Sequence, residues 1–151
     1  MSTIQTTYLC FNGNAKEAME FYQSILGGTL RLQTYGEVMG EKNPLLKDRI
    51  IHAYLEHSTV LIIARDTHPK YNILAEATET TRVRIASPDE TMLSYYFTKL
   101  SKGGRVDMPL TRQVWGDAYG MLTDKFGIPW IINIIATEVL TYRDYREKTR
   151  V

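Results

Sequence analysis

Thr123-Asp124-Lys125-Phe126-Gly127-Ile128-Pro129-Trp130-Ile131-Ile132-Asn133-Ile134-Ile135 reads as a turn feeding a buried strand. Asp124 and Gly127 are turn formers, and glycine takes backbone angles that other residues tolerate badly. Pro129 lacks an N–H and fits only the start of a strand or a sheet edge. The six residues from Trp130 to Ile135 are aromatic and β-branched with one polar interruption, the pattern of a core strand. That interruption, Asn133, needs partners or water, since an unpaired buried amide costs about 1–3 kcal/mol. Either it bonds nearby backbone within the core, or it stands on the wall of a cavity.

Working outward, Ala118 to Thr123 is a strand, and Gln113 to Asp117 is a loop carrying Trp115. Arg105 to Thr111 is a strand that Pro109 confines to an edge. Upstream, Arg82 to Ala86 is a strand, and Ser87-Pro88-Asp89-Glu90 reads as a helix start with Ser87 as cap. Met92, Leu93, Tyr96, Phe97 and Leu100 form one apolar face before Gly103-Gly104 ends the helix.

The first half has the same order. Thr6 to Phe11 is a strand with Tyr8 and Cys10 on one face and Leu9 and Phe11 on the other. A helix follows from Ala15 to Leu26, with Asn14 and Glu17 spaced as a capping box and Asn12 an alternative cap. Its stripe is Ala18, Phe21, Tyr22 and Ile25, and Gly27-Gly28 ends it. Thr29 to Tyr35 is a strand, and Gly36 to Asp48 a long loop with a helical turn at Leu45-Leu46. Arg49 to Glu56 and Thr59 to Ala64 are strands, and Arg65 to Thr80 is a linker. At an offset of 75 residues, Ala18, Phe21, Tyr22 and Ile25 fall on Leu93, Tyr96, Phe97 and Leu100, and Tyr8 and Cys10 fall on Val83 and Ile85.

The chain of 151 residues suffices for one domain with internal modules at about 3–66 and 80–140. A net charge of +1 gives no electrostatic case for nucleic acid. No apolar run of about 20 residues exists to span a membrane, and the N-terminus lacks a signal core. One cysteine, Cys10, excludes an intrachain disulfide and a cysteine metal cluster. A cytosolic location is expected. The tail from Thr141 reads as a solvated helix or frayed end.

Each β-α-β-β-β unit covers one sheet face with its helix and leaves the other in need of cover. The expected fold is therefore α+β: two tandem β-α-β-β-β modules forming one curved half-barrel sheet, helices outside and a ligand groove inside.

The pieces Tyr8 through Ala18, Phe21-Tyr22, Leu26-Gly27-Gly28, His52-Ala53-Tyr54-Leu55, Gly103-Gly104, Trp115-Gly116-Asp117 and Thr123 through Trp130 resemble the vicinal oxygen chelate superfamily. That superfamily is also called the glyoxalase/bleomycin-resistance/dioxygenase superfamily, and its PhnB-like branch is the more similar. The resemblance implies two β-α-β-β-β modules and, commonly, a homodimer. In metal-using relatives, His, Glu or Gln ligands come from the first and last strands of each module. Carried onto this chain, those positions hold Tyr8, a residue within Leu61 to Ala64, Val83 and Ile131, none a usual ligand for a divalent ion. No metal or other cofactor is expected.

The candidate ligand-binding residues are Tyr8, His52, Tyr54, Trp115 and Asn133. Aromatic groups offer apolar area, with a polar handle on tyrosine and tryptophan. His52 admits three readings: pocket residue, hydrogen-bonded strand histidine, or metal ligand. Trp130 reads better as core, and Arg49, Arg82 and Arg84 as surface charge. His57 and His68 are expected to face solvent. The leading expectation is metal-independent binding of a small molecule, such as a toxic compound to be sequestered. The alternative is an isomerase, lyase or dioxygenase-type enzyme with a relocated metal site, or with His52 and Glu56 as acid and base. Methyl transfer is poorly served by Asn12-Gly13-Asn14, whose single glycine makes no cofactor loop.

Overall fold

The computed structural model describes residues 5–57, 60–71, 82–114 and 116–136. Trp115, most of the expected linker and the tail lie outside them. The chain divides into two compact units, Met1–Thr81 and Arg82–Val151.

The first unit holds β1 (Gln5–Phe11), α1 (Ala15–Leu26), β2 (Thr29–Thr34), α2 (Tyr35–Met39), β3 (Ile50–His57) and β4 (Val60–Asp66). Its sheet runs β1-β4-β3-β2, with β1 parallel to β4 and the other pairs antiparallel. α1 forms where the sequence predicts it. It buries Ala15, Ala18, Met19, Tyr22, Ile25 and Leu26 against the sheet face that carries Leu9, Ala53, Leu55, Ile62 and Ala64. Phe21 is only half-buried, so the true stripe turns through Met19 instead. The expected long loop opens with α2, whose first turn Thr34 caps by accepting from the Glu37 N–H.

The second unit holds β5 (Val83–Ser87), α3 (Glu90–Ser101), β6 (Arg105–Arg112), β7 (Ala118–Thr123) and β8 (Pro129–Ile134), in the order β5-β8-β7-β6. β8 is the strand read from the sequence, and it lies inside the sheet, parallel to β5. Trp130 is fully buried, and its Nε1 donates to Asp124 Oδ2 at 2.8 Å. Oδ1 of the same carboxylate accepts from the Phe126 and Ile128 N–H groups, which closes the turn through Gly127 at φ +84. Pro129 begins β8, and Pro109 lies on the edge strand β6, where the register is irregular. α3 starts two residues later than a Ser87 cap implies: Asp89 accepts from the Met92 N–H, while Ser87 Oγ accepts from the Asp89 N–H.

The expectation of one curved half-barrel sheet is not met. The described strands form two four-stranded sheets, β1-β4-β3-β2 and β5-β8-β7-β6, rather than one. The physical reason is that each module's last strand pairs in parallel with its own first strand. β1 takes β4, and β5 takes β8, from its own unit, so each sheet is assembled from the strands of one unit.

The two units repeat one topology. The helices stand 75 residues apart, as read. The strands before them do not. Three residues link β1 to α1 and two link β5 to α3, so the strand phase slips by one. Val83 and Ile85 therefore match Thr7 and Leu9 rather than Tyr8 and Cys10. Tyr8 is 42% exposed and Val83 is fully buried. The counterpart of Tyr8 is Arg84.

Candidate functional site

The face of the first sheet turned away from α1 carries Tyr8, His52 and Tyr54. Tyr8 lies opposite Ile63, Ile63 opposite Tyr54, and Tyr54 opposite Arg31, making one row across all four strands. Residues directly opposite are within side-chain contact on a pleated sheet. The Arg31 guanidinium sits over the Tyr54 ring at 5.2 Å, and Arg31 Nη2 meets Glu56 Oε1 at 2.8 Å.

The next row belongs to His52. Its ring stacks on Tyr54 with centroids 5.9 Å apart, and Gln33 faces it across β2 and β3. Cys10 faces Arg65 across β1 and β4. His52 and Arg65 lie one step beyond the paired Ala53 and Ala64, which places them on the same rung. The Nδ1 atom of His52 is buried and has no hydrogen-bond partner among the described residues. Burial pushes the Cys10 thiol up, the Arg65 charge pulls it down, and Asp66 adds to the rise.

Acid–base chemistry through His52 and Glu56 needs the two side chains to converge. They are four residues apart on one extended strand, about 13 Å at the usual rise. Glu56 is also committed to Arg31. The pair does not converge.

Asn133 lies on the face of the second sheet away from α3, opposite Tyr119 and Ala86. With its amide turned to suit its acceptors, it donates to Asp117 Oδ2 at 3.3 Å and to the Ala118 carbonyl at 3.2 Å. Asp117 Oδ1 in turn accepts from the Ala136 N–H.

His68 departs from the solvent-facing expectation. It is 3% exposed, between Tyr35 and Tyr71. Nδ1 accepts from the Lys70 N–H at 3.0 Å, and Nε2 lies 3.4 Å from Glu41 Oε1. An open depression of about 340 Å³ beside α1 is lined by Asn14, Lys16, Glu17, Glu20 and Asp48, with Asp66 at its floor. That carboxylate is already shared among three N–H groups.

The sequence reading missed Arg31, Gln33 and Arg65 on the Tyr8 face. Arg65 continues the alternation of Leu61 and Ile63 by two, the signal that could have placed it.

The profile of the Glyoxalase/Bleomycin resistance protein/Dioxygenase superfamily matches residues 5–132. The chain belongs to this superfamily. Protein YjdN of Escherichia coli K12 is 27% identical over 139 residues, covering 85% of this chain and 92% of the relative. The crystal structure of protein PA1353 from Pseudomonas aeruginosa is 34% identical with a TM-score of 0.74, over 87% of this chain and 97% of that one. A PhnB protein from Bacillus cereus is 26% identical with a TM-score of 0.59, over 85% and 96%.

The superfamily resemblance raises the question of a divalent metal. The strand-pair positions that would hold it carry Tyr8 beside Ile63 in the first unit and Arg84 beside Ile131 in the second. Neither the phenol and aliphatic side chain of the first unit nor the cation and aliphatic side chain of the second makes a donor pair for a divalent ion. Arg84 replaces Val83 at this position, and the fit is no better. Among the described residues no group of three His, Cys, Asp or Glu side chains comes together as a metal site. No described helix is long and apolar enough to cross a membrane.

Proposed function

We propose that this chain binds a small organic ligand on the face of its first sheet that carries Tyr8, His52 and Tyr54, without a divalent metal at its family's positions. The observation that supports this most is the row Tyr8, Ile63, Tyr54 and Arg31, with His52 stacked beside it. Two tyrosines and a histidine on one face give an aromatic surface with polar handles. The Nδ1 of His52 is buried without a partner among the described residues, a cost that turning the ring toward a ligand would recover. Asn133 belongs to the second sheet, where its amide is committed to Asp117 and the Ala118 carbonyl, and it is not part of this face. The role in view is capture of a compound, such as a toxic one, rather than its conversion.

The test is a thermal-shift screen of chelator-treated protein against a library of aromatic compounds, repeated on Tyr54→Ala and His52→Ala. Stabilising compounds are expected. Tyr54→Ala should weaken them about 3- to 10-fold, in line with the 0.5–1.5 kcal/mol typical of an aromatic pair. Hits that bind both variants as well as the wild type would sink the assignment to this face. The proposal includes a homodimer in the cytosol; light scattering that gave the mass of a single 17.4 kDa chain would refute the dimer.

A further inference from the structure

We infer that Arg65 anchors an anionic group of the ligand, so that the ligand class is an aromatic or otherwise flat unsaturated acid. This rests on the binding reading above and sharpens it. Arg65 is half-buried on the same face as Tyr8, His52 and Tyr54. Its Nη2 donates to Tyr35 Oη at 3.2 Å and to the Tyr71 carbonyl at 3.3 Å, both neutral acceptors. The Arg or Lys ion pairs among the described residues are Arg31 with Glu56 and Arg105 with Asp107; Arg65 is in neither of them.

The groups around Arg65 leave its charge standing. The carboxylate next in sequence, Asp66, points to the other face of β4. There it accepts from the Gly13, Ala15 and Ile50 N–H groups. Cys10, opposite on β1, keeps its proton because burial pushes its thiol up despite the Arg65 charge. The other arginine of this face, Arg31, is neutralised by Glu56.

A half-buried guanidinium with donors to spare is matched by a carboxylate, which accepts two parallel N–H bonds from one fork. His52 stands on the same rung with its unpartnered Nδ1. The face therefore sorts into two rows: Tyr8 and Tyr54 for a flat ring, Arg65 and His52 for the acid attached to it.

The experiment compares carboxylate with carboxamide. Aromatic acids of one, two and three fused rings, each with its amide (2-naphthoate and 2-naphthamide among them), are titrated into the wild type and Arg65→Gln by NMR or calorimetry. At least one acid is expected to bind the wild type 10-fold or more tightly than its amide, and Arg65→Gln should bring the acid down to the level of the amide. Arg65→Lys keeps the charge without the fork and should fall between. Acid and amide binding alike would overturn the anionic anchor while leaving the platform intact. A preference that survives in Arg65→Gln would overturn the role of Arg65. No binding by any pair would overturn the platform and the anchor together. The wild-type comparison needs no variant, so a folding defect in Arg65→Gln does not shelter the inference.

Discussion

Asp66 shows how far a single side chain can act in this fold. It is 1% exposed at the end of β4, yet its carboxylate accepts from the Gly13 and Ala15 N–H groups at the start of α1 and from the Ile50 N–H of β3. The sequence suggests a local cap, Asn14 with Glu17, but Asn14 makes no side-chain cap hydrogen bond. A local motif is visible in sequence, whereas a cap 51 residues away is not. Asp66→Ala would strand three donors, and we expect a loss of about 3–5 kcal/mol in urea denaturation. A loss below 1 kcal/mol would show that water replaces the carboxylate. Asp107, exposed on β6, is a milder case. Thr123 Oγ1 and then Arg105 hold its carboxyl below the usual aspartate value. A depressed carboxyl contributes stability above its unfolded value near pH 4, and that contribution disappears as pH falls through the folded value. Asp107→Asn should therefore flatten the acid limb of a stability profile taken between pH 5 and pH 2; an unchanged limb would contradict the assignment.

Among the elements, those with a strong period were legible and those set by tertiary contact were not. α1 and β7 match their expected bounds because each has a clear apolar pattern and a clean stop. α2 was hidden, since five residues are too few for a period to show, and its Thr34 cap reads equally well as the end of a strand. The start of α3 moved from Ser87 to Asp89 because both residues can cap. Asp89→Ala should cost about 1 kcal/mol by thermal denaturation. β7 carries a sharper constraint. A Cβ on Gly120 would stand 2.7 Å from Phe97 Cε2 and 2.8 Å from the Leu110 Cα, so α3 and β6 approach this strand only because it has no side chain there. Gly120→Ala should destabilise by about 1–3 kcal/mol through overpacking. An unaffected melting temperature would mean that α3 can shift away. The one-residue slip between β1 and β5 belongs to this scale too. It moved the family position in the second unit from Val83 to Arg84, and a one-residue slip in a strand exchanges its faces.

At the scale of the molecule, the repeat and the family were legible, because the paired helices and their Gly-Gly stops survive in the sequence. The partition of the strands was not. Alternation tells which residues share a face but not which edges pair, so nothing in it distinguishes one continuous sheet from two separate ones. The face proposed for binding was half legible: Tyr8, His52 and Tyr54 were named, but Arg65 fell in an assumed linker. The central claim is that the family's metal positions, now Tyr8 with Ile63 and Arg84 with Ile131, no longer take a metal. Calorimetric titration of chelator-treated protein with Ni, Zn, Mn and Fe(II) in turn tests it directly. The account predicts no saturable heat from any of the four. A stoichiometric site lost on Tyr8→Phe would contradict it and return the metal-dependent chemistry of the superfamily to this chain.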